Sequence, residues 1–160
     1  MNPSTLRPVA IRILLWALFI GVLLWLSGCQ EDRIESTEQA IQQNYFLQSL
    51  SLVDSAGQLL MRPGLTEDDI TRAMQRMDLG LEQARKVEDG FLKKLEPRLA
   101  REYREKFIQG VEEYRLGVEA SDRERQLQGL GRLGQWGEYW NPVKSEVLAR
   151  LERMNQPEPR

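Results

Sequence analysis

Apolar residues return at helical spacing through most of the chain, and this periodicity constrains its fold more than any other feature. Ile70, Met77, Ala84 and Phe91 lie seven apart, with Met74, Leu81 and Leu95 on a companion row. Spacings of three, four and seven stack side chains on one face of a helix, whereas a strand alternates with period two. The stretch before it behaves alike. Ile41, Tyr45, Leu52, Ala56 and Leu59 form one stripe, and Phe46, Leu50, Val53 and Leu60 form another beside it. Two adjacent stripes are wider than the seam of a two-stranded coil, so this helix belongs in a bundle. Ala100, Tyr103, Phe107, Val111, Tyr114 and Val118 continue the pattern, as do Leu127, Leu130 and Leu133, then Val143, Val147, Leu151 and Met154. No stretch after residue 35 alternates as a strand would. The expected fold class is all-α: an antiparallel helical bundle of about four helices over 36–155, the last one interrupted.

Caps and breakers set the expected boundaries. Ser36 with Gln39 has capping-box spacing, and Thr66 precedes three acids, Glu67, Asp68 and Asp69, that suit the positive end of a helix dipole. Between them Met61-Arg62-Pro63-Gly64 supplies a proline and a glycine that end the first helix near Leu60. The stripe beginning at Ala100 is offset by about two residues, roughly 200°, from the heptad row that precedes it. One straight helix cannot keep both stripes on one core, so residues 90–97, containing Glu96-Pro97, hold either a reversal or a kink; proline at a first helical position favours the reversal. Ser121-Asp122-Arg123-Glu124 offers another capping box. Gly129, Gly131, Gly134 and Gly137 then crowd together, each costing about 1 kcal/mol relative to alanine in a helix. Asn141-Pro142 reads as a fresh cap and first turn, which places an interruption near Gly134–Asn141. Residues 156–160, rich in proline, read as a disordered tail.

The N-terminus is built differently. Arg7 and Arg12 lead into an unbroken apolar run from Ile13 to Leu26, and Leu26-Ser27-Gly28-Cys29 closes it with small residues and the only cysteine. A positive segment, a short apolar segment and a small-residue processing site make a secretion signal. The apolar run is shorter than the roughly 20 residues of a membrane-spanning helix. The Leu-Ser-Gly-Cys ending resembles the lipobox of bacterial lipoproteins. That resemblance covers the first 29 residues only. It implies cleavage between Gly28 and Cys29 and a diacylglyceryl group on the Cys29 thiol, so that residues 1–28 are a signal peptide and 29–35 a lipidated spacer. Two or more acyl chains would make the membrane attachment effectively stable. In such lipoproteins an aspartate after the cysteine tends to retain the protein in the inner membrane. Gln30 stands there instead, so the resemblance implies the periplasmic leaflet of the outer membrane.

Composition closes off several functions. Loss of Arg7 and Arg12 with the signal takes the net charge from −2 to −2 − 2, or −4, and no basic stripe is present, which argues against nucleic acid as a partner. The chain has no histidine. Without histidine or a free thiol there is no Ser-His or Cys-His pair and no imidazole metal site, and no phosphate-binding glycine loop occurs. No cofactor or metal is expected, and the chain reads as a non-enzyme. Glu88 stands on the apolar row between Leu81 and Leu95, either as a perturbed acid or as a residue near a helix end that reaches water; the cost of burying an unpaired charge favours water. Glu112-Glu113 and Asp68-Asp69 are acid pairs of the kind a glycan-cleaving enzyme would use, although acids abound on any soluble helix.

The most unusual segment is Gly129 to Pro142, where Trp136, Tyr139 and Trp140 stand among glycines. These rings either plug one end of the bundle or form a partner-binding surface. The function most consistent with these features is that of a lipid-anchored periplasmic adaptor, scaffold or assembly factor for another envelope protein. One alternative is a ligand-binding or sensor module with a pocket lined by Tyr45, Phe46, Tyr103 and Phe107, and a further one is a cell-wall enzyme working through Glu88 or Glu112.

Overall fold

The computed structural model describes residues 37–154. Gly28, Cys29, the cap at Ser36 and the tail lie outside the described residues. The chain divides between Glu38 and Gln39, and the unit beginning at Gln39 is the helical domain. Helix α1 covers 37–60, α2 Glu67–Lys86 and α3 Asp89–Leu95. Then α4 (Leu99–Glu102), a π-helical segment (Tyr103–Ile108) and α5 (Gln109–Glu119) follow one another as a single unbroken helix, and α6 spans Arg123–Met154. The described residues contain no strand, and the all-α bundle expected from the periodicity is the fold observed.

Neighbouring long helices run in opposite directions. Gln42 Oε1 accepts a hydrogen bond from Glu88 N at 2.8 Å, while Arg76 donates to Ser55 at 3.0 Å, which sets α1 against α2. Arg85 pairs with Glu112, and Arg115 with Asp78, setting α2 against α5. The α5–α6 hairpin is tightly paired, and glycine permits it. A Cβ on Gly129 would stand 2.4 Å from Tyr114 N, and one on Gly117 2.6 Å from Gln126 N.

The helix ends follow their sequence signals with one refinement. Thr66 Oγ1 accepts from Asp69 N at 3.1 Å and the Asp69 carboxylate returns the contact to Thr66 N, a complete capping box. Gly64 takes a positive φ of 74°, which releases the chain after Pro63. At the α5–α6 turn, however, the cap falls on Asp122, whose Oδ1 accepts from Arg125 N at 3.1 Å, and not on Ser121. Ser121 sits in the left-handed region at φ 53°. Asp122 N donates to Gly117 O and Ser121 N to Val118 O, so α5 closes with a Schellman motif in which serine occupies the place usually held by glycine.

Two expectations about interruptions are corrected. The chain does reverse between α2 and α5, as the phase change near residue 95 requires, but through an additional short helix with a break on either side and not through a single turn at 90–97. The second helix stops at Lys86, α3 buries Phe91, Leu92 and Leu95, and a second break at Glu96–Arg98 precedes α4. The expected interruption near Gly134–Asn141 does not occur, since α6 is helical for all 32 residues with Pro142 inside it. Glu138 and Pro142 both face outward, so water can serve the carbonyl that proline leaves without a donor. Burial of Gly129, Trp136, Trp140, Val147 and Leu151 along the inner face outweighs the poor helix propensity of the glycines.

Candidate functional site

An aromatic stack lies within the bundle core, and α6 supplies two of its five rings. Trp136 and Trp140, four residues apart, share the inner face of the helix and stack with ring centroids 5.4 Å apart and planes 12° from parallel. Phe46 of α1 meets Trp140 edge-on at 5.8 Å. Tyr103 and Phe107 from the π-helical segment stack at 5.0 Å and both touch Trp136. A π turn admits an extra residue, and Tyr103, Phe107 and Ile108 are all buried within it. The tryptophans are 7 % and 9 % exposed, so the inward arrangement is the one observed.

A short hydroxyl chain fixes the centre of this stack. Ser49 donates to Phe46 O at 2.6 Å, which commits its proton, so the Tyr103 hydroxyl 2.6 Å away donates to Ser49 Oγ. Burial pushes the Tyr103 phenol well above its ordinary range and holds it neutral. Ser49 and Gln42 are core-facing polar residues that the apolar stripes passed over. Their spacing from Phe46, three and four residues along one face, was the available signal.

Tyr139 touches Trp136 with ring centroids 5.8 Å apart, but its hydroxyl end lies outside the stack. Its hydroxyl donates to Glu96 Oε2, and the Arg98 guanidinium lies 5.6 Å from its ring centroid. Desolvation, then the Glu96 carboxylate, raises the Tyr139 phenol. Beside it Glu102, only 3 % exposed, is held by Arg101 at 2.7 Å, Lys106 at 2.8 Å and Arg98 at 3.4 Å. Hydrogen bonds from Lys106 and Arg101 keep its carboxyl down at about 2, against the burial that would raise it.

Tyr139, Glu96, Arg98 and Lys106 line a shallow polar depression of ≈ 370 Å³, and a larger apolar space lies beside Trp136 and Trp140. There α1 and α6 diverge around a half-open groove of ≈ 570 Å³. Phe107, Trp136 and Trp140 form its floor, Leu47, Leu50 and Val53 one wall, and Leu133 and Leu148 the other. Ser51 and Asp54 on α1, with Asn141 and Lys144 on α6, form the polar lip. The expected site therefore separates: Trp136 and Trp140 belong to the groove, and Tyr139 does not. The pocket expected from Tyr45, Phe46, Tyr103 and Phe107 is not found among those residues. Three of them are packed ring to ring, and Tyr45 lies on the surface side beneath Lys86, 5.5 Å from its ring centroid.

Neither acid candidate stands in a cleft. Glu88 is exposed at the start of α3, and Glu112 is engaged by Arg85 at 2.8 Å. Among the described residues no group of three or more acids could hold a metal ion, and no helix is long and apolar enough to cross a membrane. Comparison with protein-family models, curated proteins and solved structures returns no match to this chain.

Proposed function

We propose that the protein is a lipid-anchored adaptor of the bacterial envelope, tethered through Cys29 to the periplasmic face of the outer membrane, and that it acts by holding another envelope protein. The observation that carries this reading is the groove. Its apolar floor and walls are complete while its top is open, and the edges of two core tryptophans form part of its lining. The partly buried Leu47, Leu50, Leu133 and Leu148 supply apolar binding area above a rigid aromatic floor. The Leu-Ser-Gly-Cys motif supports the tether, and the spacer after it gives the domain reach from the bilayer.

Two measurements test this together. Cys29→Ser is expected to block processing and shift the protein out of its normal membrane fraction; unchanged processing and distribution would refute the tether. A photoreactive residue at position 50, on the groove wall, is expected to capture an envelope protein that the same group at position 79, on the exposed face of α2, does not. Equal capture at both positions would refute the groove as the binding surface. The groove's size also suits a small apolar ligand. A thermal-shift screen with envelope metabolites tests that second reading, because a ligand bound to the folded state raises its melting temperature.

A further inference from the structure

The groove carries opposite charges at its two ends. Since α1 opposes α2, α2 opposes α5 and α5 opposes α6, α1 and α6 are antiparallel, and Phe46 meets Trp140 near the middle. Asp54 lies eight residues from Phe46 in one direction and Lys144 four residues from Trp140 in the other. At 1.5 Å per residue the two charges are about 18 Å apart along the groove. Lys144 has no ion-pair partner among the described residues, and Asp54 is met only by the neutral Gln58 amide at 2.7 Å.

A stripe on α6 continues the groove's lip, Asn141, Lys144 and Leu148 lining the groove and Leu130, Gly134 and Gly137 lying beyond it on the same face. Leu130, Gly134, Gly137, Asn141, Lys144 and Leu148 recur at alternating spacings of four and three, and Leu130 is 49 % exposed. Where this chain packs its own helices at close range it uses glycine, as Gly129 against Tyr114 demonstrates. At Gly131, Gly134 and Gly137 a Cβ would meet nothing within 4 Å, so internal packing does not call for glycine there, and two of the three stand on this stripe. We infer that the groove receives one amphipathic helix of the partner protein, with an apolar stripe flanked by an acid over Lys144 and a base over Asp54. At 1.5 Å rise these two residues are about twelve apart in the partner. The inference rests on the adaptor reading and names the partner's chemistry. The open glycines of α6 leave room for the width of a helix, and a lipid brings one head group where the groove has two charges about 18 Å apart.

Photoreactive residues placed in turn at 130 and 148 of the full-length protein in its own membranes test this. Those positions are about 27 Å apart along α6, so a helical partner segment is captured at sites about 18 residues apart on one face. Lys144→Glu is expected to lower the captured yield about threefold, the size of a rim charge pair, with Lys93→Glu leaving it unchanged. Capture at sites about eight residues apart marks an extended segment and overturns the inference while the adaptor reading stands. Capture of lipid, of a second copy of this chain, or of nothing overturns both.

Discussion

Alanine placed at successive glycines of α6 is expected to move stability in opposite directions. A methyl group at position 129 would stand 2.4 Å from Tyr114 N, 2.7 Å from Gly110 O and 2.7 Å from Tyr114 Cα, where ordinary contact begins at 3.4 Å. The obstacle is backbone on a facing helix, so α5 and α6 must separate by about 1 Å. Alanine recovers about 1 kcal/mol of helix propensity. Overpacking against rigid neighbours costs up to about 3 kcal/mol, so Gly129→Ala loses about 2 kcal/mol net. At positions 134 and 137 the added methyl meets nothing within 4 Å. Propensity alone operates there, and each substitution gains about 0.5–1 kcal/mol. Urea unfolding of the purified variants, followed by far-UV circular dichroism, separates these outcomes. A stabilising Gly129→Ala would refute the close α5–α6 approach. A destabilising Gly134→Ala or Gly137→Ala would refute the continuous helix, because alanine is strained only where glycine adopts a turn. If the groove face binds a helix, the same two stabilised variants should bind their partner more weakly.

Three further expectations follow from single sites. Ser121→Gly relieves a left-handed serine in the Schellman motif and should stabilise by about 0.5–1 kcal/mol, measured by the urea midpoint. Ser49→Ala strands the buried Tyr103 hydroxyl and should cost more than Tyr103→Phe, which leaves Ser49 bonded to Phe46 O; the difference is about 1 kcal/mol, and equal losses would contradict the hydroxyl chain. The Glu102 carboxyl is lowered from 4.5 to about 2, so its stabilisation is fully present above pH 4.5 and is lost as pH falls from there towards 2. Glu102→Gln should therefore be less stable at neutral pH and flatten the acid limb of the stability profile. A variant whose acid limb stays as steep would rule out the three-cation clasp.

The parts of the fold legible in the sequence are those where local chemistry and packing agree. Thr66 and Asp69 cap α2 as their types require, Pro63-Gly64 ends α1, and Met77, Leu81 and Ala84 face inward at heptad spacing. The failures lie where tertiary contact overrides propensity. Four glycines and a proline read as a break, yet α6 continues because Gly129 admits a neighbouring backbone and Pro142 lies on the wet side. Seven residues between two breaks gave too short a pattern to disclose α3. The candidate site was half legible. Trp136 and Trp140 mark the groove, but its other wall comes from α1, some 90 residues away in sequence, and no local spacing pairs Leu47 or Leu50 with Leu148. Tyr139 shared the tryptophans' neighbourhood in sequence but not their face, being drawn to Glu96 and Arg98 on the far side.

Whether the groove is filled where the protein works is decided most directly by carbene footprinting of the full-length protein, in intact envelopes and after purification. Leu47, Leu50, Leu133 and Leu148 should be labelled far less in the envelope than in isolation, while the exposed Leu65 and Leu79 are labelled equally in both. Groove leucines labelled as heavily in the envelope as in the purified protein would show an empty site and contradict the assignment.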